Sequence, residues 1–190
     1  RSEPSQLDWG GKGFNVSRAL KVLGCESLAM GLLGGHTGAH IEEGLHELGI
    51  ATAFTKINGE TRTNTVILDN SSRRHIKVNE PGPIITSDEL AIFLSQVRAK
   101  LKPGDIWVLS GSLPPGVSDG FYAQLIEEIQ SAGSQAYLDT SGEPLRLGLE
   151  AKPHLIKPNR KEAEEITGIS LEDFTHLSQV GNFFIKKGVQ

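Results

Sequence analysis

The chain of 190 residues is long enough for one domain with a small appendage, and for a core that folds without disulfide or metal. A formal net charge of −4 leaves no basic footprint for nucleic acid or an anionic membrane, and six scattered histidines form no finger-type pair with the single cysteine. No apolar run reaches the ~20 residues of a membrane span, and Cys25 reads as a buried or idle thiol, so a cytoplasmic protein is expected.

Residues 7–20, "LDWGGKGFNVSRAL", set three glycines and a lysine within four positions and then turn helical. A tight turn explains the glycines; a bound anion or sugar explains the glycines and the lysine together. Val16, Ala19, Leu20 and Leu23 form one helical face, which Gly24 closes. "SLAMGLLG" (27–34) is a short buried strand, and Ile41, Leu45 and Leu48 mark a second helix ended by Gly49. Between residues 51 and 79 the helical period lapses. "AFTKI", "TRTNTVILD" and "RRHIKV" read instead as strands joined by the turn chemistry of "NGE" and "NSS". Such a meander has few neighbours and is expected to project as a lid.

Thr86 and Glu89 have capping-box spacing before a third helix carrying Leu90, Phe93, Leu94, Val97 and Leu101. "DIWVLSG" (strand), "FYAQLIEEIQSAG" (helix), "QAYLDTS" (strand), "HLIKPN" (strand) and "RKEAEEITG" (helix) follow. Short apolar strands alternating with amphipathic helices predict an α/β fold, a mostly parallel sheet flanked by helices. The organisation expected is an α/β core of residues 1–50 and 80–190, with residues 51–79 as a small β lid.

In open α/β sheets, ligands bind beyond the carboxyl ends of the strands. Three predicted exits are polar there: Ser110, Gly111 and Ser112; Asp139 to Gly142; and Lys157, Asn159 and Glu162. Each alone is also an ordinary capped loop, since Ser, Asp and Asn are common N-caps. Together with the glycine loop they predict a rim for phosphate or sugar. The dinucleotide fingerprint does not fit, because Gly13 is followed by Phe14, Asn15 and Val16 with no third glycine. A Walker loop does not fit either, because Lys12 is followed by Gly13.

Six segments in order resemble the ribokinase-like (PfkB) carbohydrate kinase family. They are Gly10-Gly11-Lys12-Gly13-x-Asn15-x-Ser17 with Gly24 and Gly34-Gly35, then "GETRTN" (59–64), "NEPGP" (79–83), "SGSLPPG" (110–116), "LDTSGE" (138–143) and "KPNRKE" (157–162). The combination is most similar to the bacterial 1-phosphofructokinase branch, with tagatose-6-phosphate kinases as its neighbour. The resemblance implies an ATP-dependent sugar-phosphate kinase, acting on fructose 1-phosphate at its 6-hydroxyl. It implies substrate contacts from Gly11, Lys12, Gly13, Asn15, Lys77, Ser110 and Ser112, and nucleotide contacts from Lys157 and Asn159. Glu162 would hold Mg²⁺ through water, as that ion keeps much of its hydration. By residue chemistry alone, Lys77 is equally an edge-strand charge, and Asn159 with Glu162 reads as a helix cap beside a solvated acid.

The resemblance also implies a sugar-binding strand before Arg1 and about 100 further residues after Gln190, as a compact kinase must complete its sheet. That extension would carry the family's G-A-G-D loop, whose aspartate is the general base; no such run occurs within the 190 residues. A catalytically inactive phosphosugar-binding module is the reading from another class. A homodimer through the lid is expected, with a small sugar phosphate as ligand and neither nucleic acid nor membrane as partner.

Overall fold

The computed structural model describes residues 8–69, 74–172 and 174–190. The chain divides into two compact units, Arg1–Ser95 with Pro114–Gly116, and Gln96–Leu113 with Val117–Gln190.

In the first unit, helix α1 (Lys12–Val22) leads to strand β1 (Leu28–Leu33), helix α2 (Gly35–Glu47) and strand β2 (Ala51–Lys56). β1 and β2 pair in parallel from Leu28 opposite Ala51 to Leu33 opposite Lys56. Ala29, Leu33, Ile41, Leu45, Ile50 and Phe54 form the core, with Trp9 and Phe14 packed against it. The helix stops fall where glycine was expected to supply them: Gly24 and Gly49 both adopt positive φ. The buried face of α1 differs from the predicted one. Leu23 is 75% exposed, while Phe14 meets the Phe54 ring edge-on at 5.6 Å and Ser17 is buried. On the same side, Lys21 Nζ donates to Gly49 O at 2.9 Å. The helix therefore presents positions 14, 17 and 21 to its neighbours, and the apolar stripe through Leu23 lies off that line. Cys25, just past the helix, is exposed rather than buried.

Strands β3 (Asn64–Asp69) and β4 (Arg74–Asn79) form a separate antiparallel pair, Asn64 opposite Asn79 and Val66 opposite Lys77. The meander expected over 51–79 is thus not one sheet, because β2 takes its hydrogen bonds from β1. Helix α3 (Ser87–Lys100) starts in this unit, with the predicted capping box in place. Glu89 Oε2 accepts from Thr86 N at 2.8 Å, and Glu89 N donates to Thr86 Oγ1 at 3.3 Å.

The second unit holds a three-stranded parallel sheet in the order β5 (Ile106–Ser110), β6 (Gln135–Asp139), β7 (Leu155–Ile156). Helix α4 (Phe121–Ser131) buries Phe121, Tyr122, Leu125, Ile126 and Ile129, a helical stripe. Helices α5 (Gly142–Glu150) and α7 (Leu177–Lys186) are additions to the sequence reading. Pro144 falls in the first turn of α5, where its missing N–H costs nothing. Gly148 is needed for packing rather than for turning: a Cβ there would lie 2.5 Å from Leu138 Cδ2. Helix α6 (Arg160–Thr167) ends at Gly168 in the left-handed conformation. Its Ala163 packs with Leu149, Val180 and Phe184. Among the described residues no helix is long and apolar enough to cross a membrane.

Candidate active site

In the first unit the glycine loop ends where α1 begins. Gly11 is the N-cap at φ 142°, and a Cβ there would strike the Phe14 ring at 2.8 Å. A Cβ on Gly10 or Gly13 would meet nothing within 4 Å, so the backbone there is bare and approachable. No side chain caps the helix start from the N-cap position, and no acidic residue occupies its first turn. Lys12 and Asn15 are both exposed in that turn. Helix start, open backbone, cation and amide together can bind oxygen-rich or anionic groups. Lys77 stands exposed on β4, opposite Val66.

The motif segments "GETRTN" and "NEPGP", which the sequence could only align in order, are fastened to one another. Glu60 accepts from Thr37 N at 2.6 Å and His36 N at 3.2 Å, at the start of α2. Thr61 exchanges bonds with Gly34: its N–H donates to Gly34 O at 3.0 Å, and its Oγ1 accepts from Gly34 N at 2.9 Å. Glu80 accepts from Thr63 N at 2.9 Å, and the buried Glu89 accepts from Asn58 N at 2.6 Å. These amide bonds hold the Glu60 and Glu89 carboxyls below their ordinary pKa, with Thr37 N–H the chief cause for Glu60 and Asn58 N–H for Glu89. Glu89 is marked by its capping-box spacing, but Glu60 and Glu80 do not stand out by residue type. The usable signal is the N-cap Gly34, a helix start with no capping side chain of its own.

In the second unit the parallel register lines up the three exits. Ser110 pairs with Asp139, Ile156 pairs with Leu138, and Lys157 N donates to Leu138 O at 3.1 Å. Lys157 Nζ lies 3.4 Å from Asp139 Oδ1. Gly111, at φ 104°, donates to Asp139 O at 3.0 Å, and its carbonyl accepts from Thr140 Oγ1 at 2.8 Å and Tyr122 OH at 3.1 Å. Burial, aided by the nearby Asp139 charge, pushes the Tyr122 hydroxyl up to about 12, so it remains a donor. Ser110 Oγ is buried with no hydrogen-bond partner among the described residues, and Ser112 is exposed two residues on. A buried hydroxyl without a partner is costly unless something else satisfies it.

Asn159 and Glu162 form the capping box of α6. Asn159 Oδ1 accepts from Glu162 N at 3.0 Å, and Glu162 Oε2 accepts from Asn159 N at 2.8 Å. The box leaves Glu162 Oε1 outside it. No group of three or more possible metal-binding side chains occurs among the described residues. That donor set fits an ion held mainly by water and phosphate, with one carboxylate oxygen reaching its hydration shell.

Of the expected site residues, the first unit contains Gly11, Lys12, Gly13, Asn15 and Lys77. Ser110, Ser112, Lys157, Asn159 and Glu162 belong to the second.

Adjacent parallel strands with polar loops at their carboxyl ends define an α/β protein of the kind that binds small ligands along that edge. The chain belongs to the pfkB family of carbohydrate kinases, whose profile matches residues 5–190. It is 35% identical over 181 residues to a 1-phosphofructokinase of Bacillus subtilis, covering 95% of this chain and 58% of that protein. It is 36% identical over 181 residues to a 1-phosphofructokinase of Borreliella burgdorferi, with the same coverage. The structure of phosphofructokinase-2 from Escherichia coli in complex with fructose-6-phosphate superposes with a TM-score of 0.87 at 32% identity, over 94% of this chain and 59% of that one. The fold is accordingly ribokinase-like. The chain spans about 58% of the length of these curated relatives.

Proposed function

We propose that the protein is a sugar-phosphate kinase that transfers a phosphoryl group from ATP to the 6-hydroxyl of fructose 1-phosphate, giving fructose 1,6-bisphosphate. The observation that carries this reading is the row Ser110–Asp139–Lys157 across three neighbouring parallel strands, all at the edge where such sheets bind ligands. The names of the relatives support the choice of fructose 1-phosphate.

In this reading Gly11 and Gly13 let the sugar approach the backbone. In the first unit Lys12 and Lys77 bind phosphate and Asn15 bonds sugar hydroxyls; in the second, Ser110 and Ser112 offer hydroxyls for sugar. The open space over Gly13 and the partnerless Ser110 Oγ are consistent with those roles. Lys157 and Asn159 serve the nucleotide, with Glu162 touching the hydration shell of Mg²⁺. The metal, when bound, neutralises charge on the phosphates during transfer. Positioning and charge stabilisation are what these residues supply. The proton of the attacked hydroxyl goes, in this reading, to a general base other than these residues. The β3–β4 ribbon acts as a lid over the sugar and pairs with a second copy to form a homodimer, in a cytoplasmic enzyme.

The test is a coupled ATP assay on the protein in its natural length, with fructose 1-phosphate, fructose 6-phosphate and tagatose 6-phosphate as rival acceptors. The highest kcat/KM on fructose 1-phosphate is expected. A preference for either 6-phosphate moves the assignment to that sugar, and binding without turnover supports the inactive module.

A further inference from the structure

Helix α2 has thirteen residues and begins at a glycine, so its own N-cap offers no side chain to the first amides. Those donors are among the few backbone groups a helix cannot satisfy itself, and they favour a negative charge. Glu60, more than twenty residues downstream, supplies it through Thr37 N and His36 N. The approach to the two glycines is close. A Cβ on Gly35 would lie 1.8 Å from Glu60 Oε2, and one on Gly34 would lie 2.0 Å from Gly59 O. Thr61 adds the reciprocal pair of bonds with Gly34. Three residues further on, Asn64 opens β3, and Thr63 N is tied to Glu80 just beyond the end of β4. Among the described residues of the ribbon, Val66, Ile67, Leu68, Ile76 and Val78 are all at least half exposed.

We propose that Glu60 is a positioning residue: by capping α2 from outside, it anchors the root of the β3–β4 ribbon and so sets where Lys77 stands. The path is short. Glu60 and Thr61 fix the chain on α2, Glu80 closes the root, and the antiparallel register then carries Lys77 to its place opposite Val66. The carboxylate also fills the anion position at the start of α2, which turns a substrate phosphate away from that helix and toward the lysines. The functional consequence rests on the reading of Lys77 as a phosphate contact; the anchoring does not.

The experiment uses the protein in its natural length and the substitutions Glu60→Gln, Lys77→Met and both together. Glu60→Gln keeps the side-chain shape but removes the charge and turns an N–H₂ toward one of the two amides. Two readouts are taken: hydrogen exchange at His36, Thr37 and the ribbon amides without ligand, and KM for fructose 1-phosphate and for ATP. The expected result is faster exchange at His36, Thr37 and along Asn64–Asp69 and Arg74–Asn79. KM for the sugar phosphate should rise roughly tenfold, the scale of a lost charge-assisted hydrogen bond, with KM for ATP unchanged. In the Lys77→Met background the Glu60→Gln penalty on sugar-phosphate KM should largely disappear, since coupled residues are not additive. Where Lys77→Met by itself raises sugar-phosphate KM, an undiminished penalty in that background overturns the proposal, and so does unchanged ribbon exchange in Glu60→Gln. If Lys77→Met leaves sugar-phosphate KM unaltered, the reading of Lys77 has failed, and ribbon exchange alone decides the anchor: faster supports it, unchanged refutes it.

Discussion

Asp139 and Lys157 are joined across neighbouring strands, Oδ1 to Nζ at 3.4 Å, the carboxylate side chain 13% exposed and the ammonium side chain 66% exposed. An ion pair with one end in water stabilises a fold by about 0–1 kcal/mol. Lys157→Met should therefore leave the melting temperature within a few degrees of the parent. If Lys157 meets the nucleotide, apparent ATP affinity should fall roughly tenfold while KM for the sugar phosphate holds. A melting scan beside an ATP titration checks both, and equal losses for the two ligands would contradict the assignment.

Lys12 and Lys77 are both exposed, one in the first turn of α1 and one on β4, so replacing either with Met should not disturb folding. If each contacts the substrate phosphate, each replacement should weaken sugar-phosphate binding by about 1.5–3 kcal/mol, the range for hydrogen bonds to charged groups. Calorimetric titration with fructose 1-phosphate and, separately, with ATP measures it. A matching loss of ATP affinity would move the lysines to the nucleotide.

Acid should loosen the first unit through its capping carboxylates. Glu60 and Glu89 have pKa values below the ordinary 4.5, mainly because Thr37 N–H and Asn58 N–H bond the ionised forms. The unfolded chain thus takes up their protons first. Their stabilisation is complete above about pH 4.5 and is lost as pH falls through the lowered folded values. Glu89→Gln should lower the melting temperature at neutral pH and flatten the acid side of the melting-temperature curve. A variant whose curve stays parallel to the parent's down to pH 3 would be evidence against this account.

The two faces of the β3–β4 ribbon differ. Val66, Leu68, His75 and Lys77 share one face, because opposed residues point the same way, and Thr65, Ile67, Ile76 and Val78 share the other. Ile67, Ile76 and Val78 are each more than half exposed on the face away from Lys77. A two-fold pairing of that face would bury it with one self-complementary surface. Ile67→Lys or Ile76→Lys should then shift the natural-length protein from dimer to monomer in light scattering. A parent protein that is already monomeric at micromolar concentration refutes the pairing.

Features set by one residue's own backbone chemistry were legible in the sequence. Gly24 and Gly49 end helices because glycine enters the left-handed region cheaply, and Thr86–Glu89 cap α3 because three residues separate them. The order of the polar exits was legible too, as alternating strands and helices force parallel neighbours and put Ser110, Asp139 and Lys157 on one edge. For Asn159 and Glu162 the sequence held two readings at once, and the structure makes them a capping box without removing either residue from the helix start.

What tertiary structure alone decided is which distant partner each group took. β2 looks like part of a meander until β1 lies beside it, and Gly148 has no evident role until it sits against Leu138. Glu60 looks like a turn residue until the bare start of α2, more than twenty positions earlier, comes within hydrogen-bond reach. Local conformational preference acts over a few residues, so it can be read from the chain. The choice among many possible partners for an amide, a strand edge or an apolar face depends on the packing of the whole unit, which no short stretch encodes.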